Sequence, residues 1–261
     1  MHGTPGSRLE PYLGRRALTE LGVRLISYDR PGYGSSDRRE FRAVSDVASD
    51  VVTIADDLGL GQFAVLGWSG GGPHALACAA RLPDRVTRAA ALVSIAPWDA
   101  DGLDWFGGMA ASNVDAYTIA ASDPALLAAR LERDAAKIRA DPASHMASLR
   151  DEMPEQDRQI EADELVRATL ARNLAEAVRS SADGWIDDVL AFTSPWGFDV
   201  SGIQVPVLLW HGADDVFSPT AHTQWLAGRI PAASTEIRSS SAHLGAFEIL
   251  PEVLSWLVRS P

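Results

Sequence analysis

Phe63-Ala64-Val65-Leu66-Gly67-Trp68-Ser69-Gly70-Gly71-Gly72-Pro73 is the stretch that decides how this chain folds. A short apolar run leads straight into a serine with glycine two positions before it and two after. An alanine-rich segment with helical spacing follows as far as Leu82. Strand, turn and helix in direct succession give the Gly67-x-Ser69-x-Gly71 pattern its meaning. A turn this tight strains the backbone of Ser69, and side chains at 67 and 71 would collide across it, so glycine at both has a steric reason. The turn lifts the hydroxyl clear of the strand. It also leaves the Gly70 N–H at a helix N-terminus, where a free donor and the helix dipole favour an oxyanion. The alternative is a glycine-rich strand-to-helix turn that carries no chemistry.

Outward from this turn, strand-like runs recur at residues 23–28, 88–94, 205–210 and 234–238. Helical spacing recurs at 8–21, 45–58 and 73–82, with a closing helix at 247–258. Strands alternating with helices predict a parallel sheet covered by helices, an α/β fold. Residues 99–195 break the alternation: nearly a hundred residues pass without a strand-like run, and Pro124, Pro142 and Pro154 divide them into short helices. The expected organisation is a core of residues 1–98 and 196–261 with a helical insertion at 99–195.

A chain of 261 residues suffices for one large core. Its composition, 46% hydrophobic and 22% charged, is that of a folded globular protein. No apolar run has the length of a membrane span, and the first residues carry no signal-peptide pattern, so the expected setting is the cytoplasm. Cys78, the single cysteine, is expected to be a small buried hydrophobe. Net charge is −12, and the acidity sits in the insertion, where 19 Asp and Glu face 9 Lys and Arg. Such a surface repels polyanions, which disfavours nucleic acid and phosphate-rich substrates. The simpler reading of these acids is a solvated helix surface.

A serine hydroxyl needs a base to take its proton, and the base needs an acid to fix its tautomer. Of six histidines, His74, His145 and His222 fall in expected helices, where they serve as surface or packing residues. His211 ends a strand, where it could pack beneath the loop that follows. His243 stands in the polar loop Ser239-Ser240-Ser241-Ala242-His243-Leu244-Gly245, which suits a base. For the acid, residues just past a parallel strand's C-terminal end share the serine's crevice, which favours Asp215. Its neighbour Asp214 is the rival, a turn-capping residue in the alternative, and Asp99 is more remote.

Five blocks together resemble the α/β-hydrolase fold superfamily, in the form with a serine nucleophile and a helical cap. They are His2-Gly3-Thr4-Pro5-Gly6-Ser7, Asp29-Arg30-Pro31-Gly32-Tyr33-Gly34-Ser35-Ser36, the Ser69 turn, Gly212-Ala213-Asp214-Asp215 with Pro219, and His243 through Glu248. The resemblance implies Ser69 as nucleophile, His243 as general base and Asp215 as orienting acid, in the chain order that fold requires. It implies an oxyanion hole from the amides of Gly70 and Thr4, and makes residues 99–195 a cap inserted after the sixth family strand. By the same resemblance a hairpin and a central strand would precede His2. The expectation is therefore that the N-terminal strands are missing, and that about 20 to 30 residues belong upstream.

The expected activity is acyl transfer to water: a serine hydrolase of esterase type, acting on a small, neutral and partly apolar molecule. No metal or organic cofactor is expected, and no Cys/His cluster has zinc spacing. Serine rather than aspartate at position 69 implies, by the resemblance, neither dehalogenase nor epoxide-hydrolase chemistry. Peptidase, lactonase and carbon–carbon bond hydrolase activities fit the same residues, and so does a binding protein without turnover. Trp68, Trp98, Trp105 and Trp185 are candidates to line the substrate pocket, with Phe106, Phe192 and Trp196 beside them. For each the alternative is simple packing.

Overall fold

The computed structural model describes residues 1–10 and 15–259, and its sheet has four strands paired in chain order: β1 Phe63–Trp68, β2 Val86–Leu92, β3 Val207–Gly212 and β4 Ala233–Arg238. All three pairings are parallel, which requires a crossover between each pair of strands. Helix α1 (Arg15–Glu20) and α2 (Val47–Asp57) precede the sheet, and α3 (Gly71–Arg81) crosses from β1 to β2. The connection from β2 to β3 carries the insertion, six helices in succession: α4 (Ala111–Ser122), α5 (Pro124–Ala140), α6 (Pro142–Leu149), α7 (Glu155–Glu161), α8 (Glu164–Ala177) and α9 (Asp183–Phe192). Helix α10 (Thr220–Ala227) joins β3 to β4, and α11 (Leu250–Leu257) packs on the far face.

The central strands are buried on both faces, as apolar strands of a helix-covered parallel sheet must be. In β2, Ala89, Ala90, Ala91 and Leu92 are buried, and Val207, Leu209 and Trp210 are buried in β3. One face packs α3. The other packs Ile249, Val253 and Leu257 against Ala90, Leu92 and Trp210. Edge strand β4 is largely exposed and carries the charged pair Glu236 and Arg238, which discourages further pairing.

The prolines of the insertion begin helices, where their missing N–H has no intrahelical partner to lose. Pro124 and Pro142 occupy the first turns of α5 and α6. The preceding Asp123 and Asp141 carboxylates accept from Leu126 N–H and Ser144 N–H.

Several expectations are corrected. Residues 23–28 form no ladder, because a strand exists only where a neighbour takes its backbone groups. Between this segment and β1 lies a cavity of ≈ 420 Å³ lined by Leu25, Ile26, Tyr28, Val65 and Leu66 among others. At one end of the slot Met1 alone bridges β1 in parallel register: its amino group donates to Leu66 O, and its carbonyl accepts from Trp68 N–H. Of the helix expected at 8–21, residues 8–10 are not helical and Arg15–Glu20 form α1, while residues 11–14 lie outside the described residues. Strand β2 ends at Leu92 because Val93 turns to φ +46°. The acids of the insertion are not all solvated: Asp157, Glu161, Asp187 and Asp188 are buried against arginines or backbone amides.

Candidate active site

At the end of β1 the Ser69 backbone takes φ +53°, the left-handed region that non-glycine residues rarely adopt. Ser69 N–H donates to Leu92 O, and Ser69 O accepts from Gly72 N–H. A Cβ at Gly67 would stand 2.1 Å from Gly71 O, and one at Gly71 would stand 2.3 Å from Met1 O. No side chain fits either space; the clash at Gly67 is the one across the turn that the sequence implied, whereas at Gly71 the obstacle is the backbone of Met1 and His2.

The loop at residues 2–7 lies beside this turn. A Cβ at Gly70 would meet Thr4 Oγ1 at 2.3 Å, so the two residues are in direct apposition. Neither the Gly70 nor the Thr4 N–H has a partner among the described residues. Thr4 is tied down by its hydroxyl, which donates to Asp188 Oδ2 at 2.6 Å. Asp188, on α9, is fully buried. It also accepts from Tyr33 OH at 2.8 Å, pairs with Arg30 at 2.5 Å and Arg42 at 2.7 Å, and lies 3.3 Å from His74 Nε2. Burial opposes its charge, but the two guanidiniums hold the carboxyl well below the usual carboxylate range. His74 itself is pushed down to about 4 by burial and the nearby Arg30, so it is neutral at pH 7.

Asp215, just past β3, is 2.8 Å from His243 Nδ1. Its Oδ1 accepts from Phe217 N–H and Ser218 N–H, and its Oδ2 lies 3.1 Å from His211 Nε2. Burial alone would raise this carboxyl; His243 and His211 bring it below its ordinary value. His211 Nδ1 meets Thr223 Oγ1 at 2.7 Å, and its Nε2 faces only acceptors, Asp215 and Ser218 O. Its proton therefore sits on Nε2. For His243, a proton on Nδ1 facing Asp215 leaves Nε2 as the basic atom. Burial lowers the proton affinity of His243, and Asp215, Asp157 and Glu10 more than reverse it, so the imidazole titrates above its ordinary value.

Asp214, the rival, is exposed and accepts from Gln156 Nε2 at 2.8 Å; Asp99 is exposed in a turn. The structure thus joins Asp215 to His243 and sets Gly70 against Thr4. Ser69 Oγ makes no hydrogen bond to a described residue, and its tie to His243 runs through Trp68, whose ring lies 5.4 Å from the imidazole and 4.5 Å from Phe247. Phe217 packs on the imidazole's other side at 5.6 Å. Trp98 and Trp105 stack with Phe106, and the buried Trp105 donates from its indole to Ala96 O and Pro97 O. Trp185 is half-buried against the core. Cys78 is fully buried, and burial pushes its thiol up to about 12. Among the described residues no helix is long and apolar enough to cross a membrane, and no group of three or more His, Cys, Asp or Glu is placed to hold a metal ion.

Three carboxylates at this site were not singled out from sequence. Glu10 accepts from Gly3 N–H at 2.6 Å through Oε2 while its buried Oε1 has no partner. Burial pushes it up to about 7. Asp157, on α7, accepts from Leu244 N–H at 2.7 Å and His243 N–H at 3.2 Å, and burial pushes it up to about 6. Asp188 completes the set. The available signal was an acid at apolar helical spacing: Asp188 follows Trp185 and Ile186 and precedes Val189 and Phe192. Glu10 offers no such signal.

A family model described as alpha/beta hydrolase fold matches residues 1–248. The pimeloyl-[acyl-carrier protein] methyl ester esterase of Aromatoleum aromaticum is 32% identical over 235 residues, covering 87% of this chain and 80% of that protein. Among solved structures, a bromoperoxidase from Bacillus anthracis superposes with a TM-score of 0.70 at 22% identity, over 99% of this chain and 90% of its own. An esterase from Exiguobacterium antarcticum does so with a TM-score of 0.68 at 21% identity, over 100% of this chain and 90% of its own.

Proposed function

This chain belongs to the alpha/beta hydrolase fold family, and from that premise we propose that it is a serine hydrolase cleaving a carboxylic ester, or a related acyl bond, of a small and partly apolar molecule. Ser69 Oγ attacks the carbonyl carbon as His243 Nε2 takes its proton, and Asp215 stabilises the resulting imidazolium. The oxyanion is received by the N–H groups of Gly70 and Thr4. Collapse expels the alcohol, which takes the proton back from His243. Water then repeats the sequence on the acyl-enzyme and releases the acid.

The observation that carries this reading is the buried Asp215–His243 pair at 2.8 Å, whose imidazole lies against Trp68, the residue before a serine held at φ +53°. The unengaged amides of Gly70 and Thr4 support the oxyanion role, and the 32% identity to an enzyme named as a methyl ester esterase supports an ester as the bond cleaved. Trp68, against the imidazole, is the proposed wall of the acyl site, with Trp98, Trp105 and Trp185 more remote candidates.

The test is turnover of a short-chain p-nitrophenyl ester. Wild-type protein is expected to turn it over, and Ser69→Ala to lose about 10⁴-fold or more in kcat with its melting temperature unchanged. Turnover that persists in Ser69→Ala overturns the proposal. So does an inert wild type whose stabilisation by an ester analogue survives the substitution, since that is the behaviour of a binding protein.

A further inference from the structure

The acid and the base of this site stand on two loops that the insertion grips with adjacent residues. On α7, Gln156 Nε2 donates to Asp214 Oδ2 at 2.8 Å, one residue from Asp215. Its neighbour Asp157 lays its carboxylate across the start of the turn at His243–Phe247, Oδ1 on Leu244 N–H at 2.7 Å and Oδ2 on His243 N–H at 3.2 Å. The two loops are also tied to each other, Asp214 N–H donating to Ser241 O at 2.9 Å. Resting on the reading of His243 as the base, we propose that Asp157 is a positioning residue for it, through which the seating of the insertion sets the direction and the basicity of the imidazole.

The argument is geometric first. A carboxylate that accepts from two successive N–H groups fixes the plane of that turn, and hydrogen bonds to a charged acceptor are stronger than neutral ones. The imidazole direction follows from the His243 backbone so held, and Asp157 is completely buried, so water does not compete for either donor. Nothing in turn chemistry requires the acceptor to come from 86 residues away on another element. A local side chain normally serves an N-terminal turn of this kind, yet here the residue preceding it is Ala242, which has no acceptor.

Electrostatics adds to this. The charged or titratable groups around His243 are Asp215 after β3, Asp157 on α7 and Glu10 in the loop beside Thr4, with His211 behind Asp215. All three carboxylates favour the imidazolium that forms when Ser69 is deprotonated. Removing the charge at 157 alone leaves Asp215 in place, so the base survives with a lower proton affinity.

The experiment uses the full chain and two readouts, the NMR titration of the His243 imidazole and the pH dependence of ester turnover. Asp157→Asn keeps an oxygen acceptor and removes the charge; Asp157→Ala removes both. In Asp157→Asn the His243 midpoint is expected to fall by roughly half a pH unit or more, and the acid limb of kcat/KM to move down with it. In Asp157→Ala, kcat is expected to fall about tenfold with KM nearly unchanged, because the loss is of orientation and not of substrate contact. An unaltered His243 midpoint in Asp157→Asn overturns the proposal and leaves Asp157 a structural cap, a role that would change stability without moving the titration. If Asp157→Ala fails to fold, the Asp157→Asn titration still decides. Turnover unaffected by Ser69→Ala would instead refute the hydrolase reading, and the His243 titration remains informative in that event.

Discussion

Position 69 holds a serine at φ +53°, a conformation that costs a non-glycine residue on the order of 1–3 kcal/mol. This feature was legible because glycine at 67 announces the collision across the turn that the structure puts at 2.1 Å; the 2.3 Å clash at Gly71 is with Met1 O and was not legible. The choice between Asp214 and Asp215 rested on position alone. In the structure Asp215 turns inward to His243, and Asp214 faces Gln156 at the surface, which supports Asp215 as the proposed acid. Glu10 and Asp157 were not legible, because each is defined by a backbone N–H that its own neighbours in sequence do not identify. Glu10 gives a test at this scale. Burial raises its carboxyl from 4.5 to about 7, so between those values the folded state holds a proton that the unfolded state has released. Stability is therefore lost as pH rises from 4.5 to about 7, by on the order of 3 kcal/mol. Glu10→Gln keeps the acceptor for Gly3 N–H and carries no charge. Its melting temperature is expected to exceed wild type by roughly 5 °C at pH 8, with the gap closing toward pH 4.5. Parallel pH profiles for the two proteins would refute this.

The elements show which sequence patterns suffice and which need a neighbour. β1 to β4 were each readable within two residues: β2 and β3 because a strand buried on both faces is an apolar run, and the exposed edge strand β4 from its alternating residues between turn signals. The short helices of the insertion were readable from their prolines, which open α5 and α6. Residues 23–28 carry the same strand pattern and form no strand, because pairing is a property of two segments and the pattern belongs to one. Leu25, Ile26 and Ser27 make no backbone hydrogen bond to a described residue, and Ile26 remains 38% exposed. On the far side of the slot, Leu66 O already accepts from Met1, so Leu66 N–H faces the same side without a described partner. The slot, lined by apolar side chains between a segment without a ladder and a β1 edge bridged by Met1, offers backbone groups to an inserted strand. Fusing six apolar, β-branched residues ahead of Met1 is expected to raise the melting temperature and to protect the Leu66 amide from hydrogen exchange. A Gly/Ser fusion of equal length is expected to do neither. Equal Leu66 exchange in the two fusions would contradict a strand-receiving slot.

Over the whole molecule, the acidity concentrated in the insertion has two uses. Most of it is solvated, as composition suggested, but Asp188 and Asp157 reach into the core and hold opposite sides of one site. Asp188, on α9, accepts directly from Thr4, beside the Ser69 turn, and also holds Arg30, Arg42 and Tyr33. Asp157 ties the His243 turn to α7. Composition counts such acids correctly and assigns them to the surface, since burial depends on partners from distant parts of the chain. Insertion and sheet are thus joined at Thr4 and at the His243 turn by buried carboxylates, and on the proposed reading these hold the oxyanion loop and the base. The most direct measurement of the central claim is intact-mass analysis of the folded chain after exposure to a fluorophosphonate probe, with peptide mapping of the adduct. A single adduct on Ser69, absent from Ser69→Ala, is the predicted result. A folded protein that takes up no probe, or takes it up elsewhere, would contradict Ser69 as an activated nucleophile.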